Sequence, residues 1–374
     1  MKKIIIVLAL ALSLGAAFGF SAFAEDDCYA EIYEQSGIDG ISDSLSDSAR
    51  EFFSSENISP ADYNWVNSIK SENVFSHILN FIKSGAKTPF KTGFSLLGII
   101  LIAAAVRAFK GDGEVDSSVK FTVTLAACGT MVYSVSASIN AAINVIKGTA
   151  SFMLAFTPVF MGIVSVSGAP VSAAASGGML LAAAEFTGGA AAFFITALMG
   201  AYLSVSVSAS VSPLLSGSGL PDVLKRTGTW IMALISTVFL GLLSAGNAVN
   251  AAADSASVKT AKFIIGTCVP MAGTALAGAV GTVSSSLSLL KSSVGIYGVV
   301  ALAVTALPVI IELLLWRLVL NLSGCACALF SLDETDKLFK AVDGMLAFLI
   351  GALLLVEATF IISLAVCVSA GRAA

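Results

Sequence analysis

The sequence has few charged residues: only 12% are Asp, Glu, Lys or Arg, whereas 57% are hydrophobic. A soluble domain carries about 25% charged residues, and its core cannot absorb this much apolar surface. The composition therefore excludes a soluble globular enzyme and a disordered chain. A net charge of −4 and a pI near 5.1 also exclude the basic surface that nucleic acid requires. We predict a polytopic membrane protein.

Residues for common chemistry are also scarce. The single histidine, His77, and the lack of an H-E-x-x-H motif exclude the usual zinc proteases. No Walker-type glycine loop is present, so the chain is not expected to hydrolyse nucleotides itself. Cys325 and Cys327 lack the further ligands that structural zinc requires, and the serines have no patterned base. We expect no enzyme activity, no catalytic residue, no metal and no cofactor.

The charges are distributed very unevenly. Residues 25–62 contain eleven of the 24 acidic residues and a single base, Arg50. Upstream of them, two lysines precede an apolar run and an A-x-A cleavage pattern that ends at Ala24, the order of a secretory signal peptide. We predict a signal peptide over residues 1–24, with an uncleaved first span as the alternative. In both cases the acidic residues begin outside the cytoplasm.

Residues 25–90 are predicted to form a small, acidic, helical domain outside the cytoplasm. Ser59-Pro60 is typical of a helix start, with serine as the N-cap and proline at the first helical position. Apolar residues then recur at helical spacing from Trp65 to Ile82, as in a packing face or a face on the membrane surface. A domain of this size has a thin core. We therefore expect it to lean on the membrane part or on a partner protein.

Residues 91–374 are predicted to form a multispanning membrane domain. A crossing helix needs about 20 apolar residues, and the sparse charges divide this region into runs of suitable length. All crossings should be helical, because a lone strand in lipid would leave its backbone unpaired. The sequence thus predicts an all-α fold with about seven to nine spans. The runs are 92–106, 121–146, 148–221, 227–247, 263–290, 292–311, 313–332 and 344–370.

The run 148–221 leaves two features of the topology open. It holds either three crossings or two crossings with re-entrant pieces. Its Thr157–Pro170 stretch is either a plain loop between two spans, which we favour, or a broken helix that lines a cavity. If the acidic domain lies outside, the bases between 107 and 120 lie in the cytoplasm, as the positive-inside rule requires. The pair Lys225-Arg226 joins them only if an even number of crossings precedes it.

Ionisable groups within the spans are candidate functional residues, because placing them in lipid is costly. Glu185, Glu312 and Glu357 are predicted to be intramembrane or pore-lining, and Arg317 is the only base predicted to lie within the spans. The acids form either an ion or proton relay, or contacts at interfaces and between helices. We favour the second interpretation.

A second polar group is formed by Asn247, Asn250 and Asp254, whose spacings of three and four residues place them on one helix face. This face either lines a wet cavity or turns toward water on an interfacial helix. We favour the interfacial helix.

Two stretches of the membrane part resemble the stage III sporulation protein AE family. The first reads TPVFMG over residues 157–162 and continues to Gly168. The second reads TVFLGLLS over residues 237–244 and continues through Asp254 to Gly273. The acidic domain resembles the family in layout only.

The resemblance covers roughly residues 90–370. It implies a non-enzymatic integral membrane component of the secretion-like channel complex between mother cell and forespore, which endospore formation requires. The protein would lie in the mother-cell membrane around the forespore, with its N-terminal domain between the two membranes. The implied partners are other channel proteins of the same operon, including a separate ATPase, and the lipid bilayer.

The alternative function is an autonomous secondary transporter or permease that uses the intramembrane carboxylates. Transporters often contain inverted repeats, and we find no convincing repeat in this sequence. The channel component is therefore the preferred hypothesis.

Overall fold

The computed structural model describes residues 38–59, 65, 71–110, 114–211, 219–268 and 273–369. The predicted signal peptide lies outside them. The described residues form a 3-10 helix (Ile38–Ser44), eight α-helices and a π-helical turn (Thr187–Ala191) that joins α4 to α5. The α-helices are α1 (Asp47–Ser55), α2 (Ser71–Lys110), α3 (Glu114–Val166), α4 (Pro170–Phe186), α5 (Ala192–Val211), α6 (Leu220–Cys268), α7 (Gly273–Leu329) and α8 (Asp333–Ser369).

Six helical segments of the described chain are long and apolar enough to cross a membrane. The predicted all-α, polytopic architecture is therefore confirmed, with six such segments where the sequence predicted seven to nine crossings. The segments are Asn73–Ala108, Asp116–Val166, Pro170–Ala209, Asp222–Gly246, Leu287–Leu329 and Asp333–Ser369.

The difference in number arises because single charges do not end these helices. Lys147 was expected to close a span, but its side chain is exposed and α3 continues past it for nineteen residues. Lys291 and Glu312 likewise lie inside α7. A charged side chain can leave a helix surface without breaking a backbone hydrogen bond, so a helix tolerates it. The predicted boundary between the acidic and membrane domains, at residue 90, falls inside the continuous helix α2.

Long-range contacts place the helix ends at two opposite ends of the bundle. At the lower end, Arg107 of α2 donates hydrogen bonds to Asp116 of α3 and to the carbonyl oxygen of Phe330, between α7 and α8. Lys225, near the start of α6, lies close to Gly344 of α8. The lower end therefore holds the connections α2–α3, α5–α6 and α7–α8.

The upper end holds the connection α3–α4 and the end of α8. Ser167 Oγ donates a hydrogen bond to the carbonyl oxygen of Leu287 on α7 at 3.2 Å. A Cβ atom on Gly295 of α7 would contact Val368, close to the end of α8. The six candidate spans thus run between the two ends in alternating directions, and the chain enters and leaves this bundle at the upper end.

Helix α8 is the centre of the bundle and packs against α3, α4, α5, α6 and α7. From Met345 to Val356 it carries apolar residues on all sides, which is typical of a helix that is buried all round. Leu346, Leu353 and Leu364 have no exposed surface. On α3, the rings of Phe152, Phe156 and Phe160 stack on one another. The last two rings face α7 at its glycines Gly298 and Gly295.

The described part of the acidic segment packs on α7. Ser46 caps α1, accepting a hydrogen bond from Ala49 N, and its Oγ lies 2.7 Å from Thr305 Oγ1. Phe53 stacks on Tyr297 with ring centroids 4.3 Å apart. The buried Trp65 donates from Nε1 to Ser293 Oγ at 3.0 Å. A segment with so thin a core gains stability by burying its aromatic rings against a neighbouring helix.

The predicted apolar stripe between Trp65 and Ile82 is only partly a packing face. Trp65 is buried, whereas Phe75 is 62% exposed. The helix start predicted at Ser59-Pro60 lies mostly outside the described residues. The exposed part of the stripe therefore does not pack on the core of this chain.

The connection between α3 and α4 is a short turn. Helix α3 continues through Pro158 and ends at Val166, and α4 begins at Pro170, where proline's missing N–H and fixed φ suit the first helical position. Gly168 has a φ of 97°, a left-handed conformation that favours glycine. Of the predicted loop, only residues 167–169 form the turn between the two helices, whereas Thr157–Val166 are helical.

The packing of α3 against α7 is testable at Gly298, where a Cβ atom would lie 2.6 Å from the ring of Phe156. That ring is stacked between Phe152 and Phe160 and cannot move freely. We expect Gly298→Ala to lower the free energy of unfolding by about 1–3 kcal/mol, because the ring must shift. The measurement is SDS-induced unfolding in detergent micelles. Gly162→Ala, where no atom lies within 4 Å, is the matched control and should be neutral or slightly stabilising; equal losses would contradict this packing.

Candidate functional site

The carboxylate of Asp254, on α6, binds the beginning of α4. Its Oδ1 accepts a hydrogen bond from the backbone N–H of Val171 at 2.9 Å, and its Oδ2 accepts one from Ser172 at 3.0 Å. Ala169, at the N-cap position, has no side-chain acceptor, and Pro170 has no N–H. Asp254 therefore provides, from a distant part of the chain, the cap that the local sequence lacks.

This contact is buried and charge-assisted. Asp254 is 2% exposed, and the two N–H groups belong to the positive end of the α4 dipole. Asp254 thus faces the bundle interior rather than water. The contact also joins the two stretches that carry the family resemblance, since α4 follows residues 157–168 and α6 contains residues 237–244.

Glu357 lies in the middle of the bundle on α8 and is 2% exposed. Thr149 of α3 donates a hydrogen bond to its Oε1 at 2.6 Å. Its Oε2 has no hydrogen-bond partner among the described residues. Burying a carboxyl group costs several kcal/mol unless it is paired or neutral, so this position is not explained by packing alone.

Glu312, on α7, is half-buried and also binds a hydroxyl of α3. Its Oε1 accepts a hydrogen bond from Ser138 Oγ at 2.5 Å. Ser138 Oγ in turn accepts one from Nε1 of the fully buried Trp316 at 2.9 Å. On the other side, α2 approaches closely at Gly85, whose added Cβ would lie 3.6 Å from Glu312 Cα. Glu312 thus sits where three helices meet.

One face of α3 serves both carboxyl groups. Ser138 and Thr149 are eleven residues apart, which is close to three helical turns and about 16 Å along the axis. They therefore share a face, and this face meets Glu312 of α7 and Glu357 of α8. Within the described residues, no ion pair joins either acid to a base. This arrangement suits the attachment of α7 and α8 to α3.

Arg317 pairs with an acid of the neighbouring helix instead of Glu312. Its Nε and Nη2 donate to the two carboxylate oxygens of Asp343 on α8, at 2.7 and 3.2 Å. Asn321 Nδ2 donates to the same carboxylate at 3.2 Å. This two-pronged pair is the strong geometry for arginine and carboxylate. It borders a cavity of about 150 Å³ at the lower end, between α7 and α8.

The other predicted site residues are not brought together. Glu185 lies on the outer surface of α4, immediately before the π-helical turn. Asn250 is half-buried on α6, and the side chain of Asn247, on the same helix, is outside the described part. Three predicted residues therefore point into the bundle at separate places: Asp254, Glu312 and Glu357.

A serine–histidine–acid cluster occurs where the end of α1 meets the beginning of α2. His77 Nε2 lies 3.1 Å from Ser55 Oγ and 3.4 Å from Glu56 Oε1. In a catalytic triad the serine and the acid bind different ring nitrogens, whereas here both contacts use Nε2. The cluster therefore joins α1 to α2, together with the hydrogen bond from Asn73 to Glu56 at 2.9 Å, and it does not activate the serine.

Sequence reasoning missed the partners of the buried acids. Ser138 and Thr149 are ordinary helix residues, and only their eleven-residue spacing indicates a shared face. Asp343 lies between the predicted spans 313–332 and 344–370, where a residue in water is expected. In the structure it pairs with Arg317 between α7 and α8. A search for polar residues that share one helix face would have found the first two.

A family model and a known protein that match this chain belong to the same family. Residues 65–371 match the family model described as Stage III sporulation protein AE. The Stage III sporulation protein AE of Bacillus subtilis (strain 168) is 26% identical to this chain over 235 residues, which are 63% of this chain and 59% of that protein. The chain therefore matches less than two thirds of that relative's length. No solved structure matches it.

The cap at α4 is testable by substitution. Asp254→Ala leaves two buried N–H groups unpaired, and we expect it to lower the free energy of unfolding by about 1–3 kcal/mol. Asp254→Asn keeps one acceptor oxygen and should lose less. The measurement is unfolding in detergent, with amide exchange at Val171 and Ser172 as a local readout. Asn250→Ala, one turn away on α6, is the control. Faster amide exchange at Val171 and Ser172 in this control, but not in Asp254→Ala, would contradict the role of Asp254 as the cap.

Proposed function

The chain belongs to the stage III sporulation protein AE family, and from this premise we propose that it is a non-enzymatic integral membrane component of the channel complex between mother cell and forespore. Family membership implies a role in sporulation. The finer proposal is that the protein lies in the mother-cell membrane around the forespore, with its acidic segment between the two membranes.

The proposed orientation of the protein in the membrane is based on the alternating direction of its helices and on the position of its basic residues. Two traverses, α3 and α4–α5, separate the lower-end bases at 107–120 from Lys225-Arg226, so both groups lie at the same end. Short cytoplasmic loops are enriched in lysine and arginine. At the upper end, the sequence between Asp254 and Ser293 contains three bases, Lys259, Lys262 and Lys291. This supports a cytoplasmic lower end. The lower-end bases are Arg107, Lys110, Lys120, Lys225, Arg226, Lys337 and Lys340.

The proposed partners follow from two features, the missing nucleotide-binding loop and the position of the acidic segment. Its sequence has no nucleotide-binding loop, so any energy from ATP would come from a separate ATPase on the cytoplasmic side. The acidic segment, at the upper end, would meet other channel proteins of the same operon between the membranes. The bilayer surrounds the spans.

The buried carboxyl groups favour a secondary candidate, an autonomous transporter that uses proton-binding acids. Glu357 is the specific observation, because one of its oxygens lacks a hydrogen-bond partner among the described residues. The two candidates differ in whether the charge of these acids is needed.

The triple variant Glu185→Gln, Glu312→Gln and Glu357→Gln separates them. Glutamine keeps the acceptor oxygens for Ser138 and Thr149 but cannot ionise, so a structural role should survive. We expect an endospore-forming strain that carries this variant to form heat-resistant spores as the parent does, and the tagged protein to co-purify with proteins of its operon. Loss of sporulation with normal protein level, or transport by the purified protein alone in liposomes, would contradict the channel component.

The orientation is testable with topology reporters. Alkaline phosphatase, active only outside the cytoplasm, should be active when fused after Gly168 or at the end of the chain, and inactive when fused after Gly111 or Gly217. The reason is that each fusion follows a different traverse of the bundle. A fluorescent protein that folds only in the cytoplasm is the complementary control. The inverse pattern would overturn the orientation.

A further inference from the structure

The long helices of this bundle exceed the thickness of a bilayer. Helix α3 has 53 residues and α7 has 57, which correspond to about 80 Å each at 1.5 Å per residue. The hydrocarbon core is about 30 Å thick, so about 20 residues suffice to cross it. More than half of each helix must therefore lie outside the hydrocarbon, unless the helices are tilted far beyond the usual range.

Exposed large apolar side chains indicate which part of the bundle the lipid covers. On α3, Phe121, Leu125 and Tyr133 are exposed in the lower part, and the next such residue is Val166 at the upper end. Among the described side chains of α7, the corresponding residues all lie in the last twelve positions. Helix α6 has them between Val223 and Leu242, whereas α2 has them along most of its length, from Phe75 to Val106. Phe, Tyr, Trp and Leu side chains on the outside of a helix bundle suit contact with lipid.

The upper part exposes residues of a different kind. Above Tyr133, the outer face of α3 carries Asn140, Asn144 and Lys147, and then small residues. The outer face of α4 carries Glu185 and mostly exposed alanines and glycines, with Val171 and Phe186 as its exposed large apolar residues. Amide and charged groups are costly in hydrocarbon and favourable in the headgroup region or water. The small residues on these outer faces are Ser151, Ala155, Gly162, Ala174, Ala175, Gly178 and Ala182.

We propose that the hydrocarbon core surrounds only the lower half of the bundle, and that the upper half stands outside the bilayer as a helical body. This body comprises α3 from about Asn144 onward, α4, and the part of α7 on which the acidic segment packs. The side of the membrane on which it stands rests on the proposed orientation; the position of the lipid belt does not.

Single cysteines at four exposed alanines test the belt. In a full-length variant without the six native cysteines, Ala155→Cys and Ala175→Cys lie in the upper half. Ala126→Cys on α3 and Ala197→Cys on α5 are matched controls in the lower half. In lipid nanodiscs, a charged maleimide should modify the upper pair at least about tenfold faster than the lower pair, because thiolate formation and the reagent both need water.

Two further measurements keep the test decisive. Labelling in SDS should reach completion at all four positions, which shows that each thiol is reactive. Spin labels at the same sites should show the reverse order with a lipid-soluble relaxation agent, oxygen, with the lower pair more accessible. Slow labelling of the upper pair with high oxygen accessibility, or equally fast labelling of all four, would overturn the proposal.

The same variants separate this proposal from the orientation. When the variants are expressed in vegetative cells, which contain no forespore, the upper pair should be labelled from outside intact protoplasts. If labelling requires permeabilised cells while the nanodisc result holds, the orientation under the proposed function is wrong and the lipid belt stands. If the nanodisc result fails, the belt is wrong whatever the reporters show.

Discussion

Backbone hydrogen bonding without water is the constraint on which this structure depends. Every N–H and C=O in the hydrocarbon core must pair within the protein, so each crossing is a helix. Single charges such as Lys147 and Glu312 leave those hydrogen bonds intact, and the helices continue through them. The same need for partners arises where a helix begins in the protein interior, because its first N–H groups have no acceptor within the helix. There Asp254 supplies the acceptors that the start of α4 lacks, and it thereby ties α6 to the α3–α4 turn.

The interior polar groups follow the same logic at the level of side chains. Ser138 and Thr149 place hydroxyl donors on one face of α3, and Glu312 and Glu357 accept from them. Such contacts fix how neighbouring helices are rotated, which apolar packing alone does less specifically. They join α3 to α7 and α8, and the upper end of the bundle holds the acidic segment through Phe53 and Trp65. A scaffold of this kind is consistent with the proposed place in a larger membrane complex.

Much of the architecture was predictable. The all-α class, the membrane location, the short turn before Pro170 and the family relationship all followed from composition, local patterns and short motifs. The number of candidate spans did not, because charges were treated as helix ends and the helices run through them. Glu312 and Glu357 were identified as candidates from their cost in lipid. Their partners were not, since a threonine in a helix carries no mark of which neighbour it will face.

The sequence by itself determined the solvent and the secondary structure, because apolar run length and helix hydrogen bonding act within one segment of the chain. It also determined the turn at Gly168 and Pro170, where backbone geometry is local. Only the tertiary structure decided that Asp254 caps α4 and that Arg317 pairs with Asp343. It also decided that six helical segments run in alternating directions between the two ends of the bundle. These depend on the rotation and depth of one long helix against another. A shift of one residue turns a helix face by about 100°, so local patterns cannot specify them.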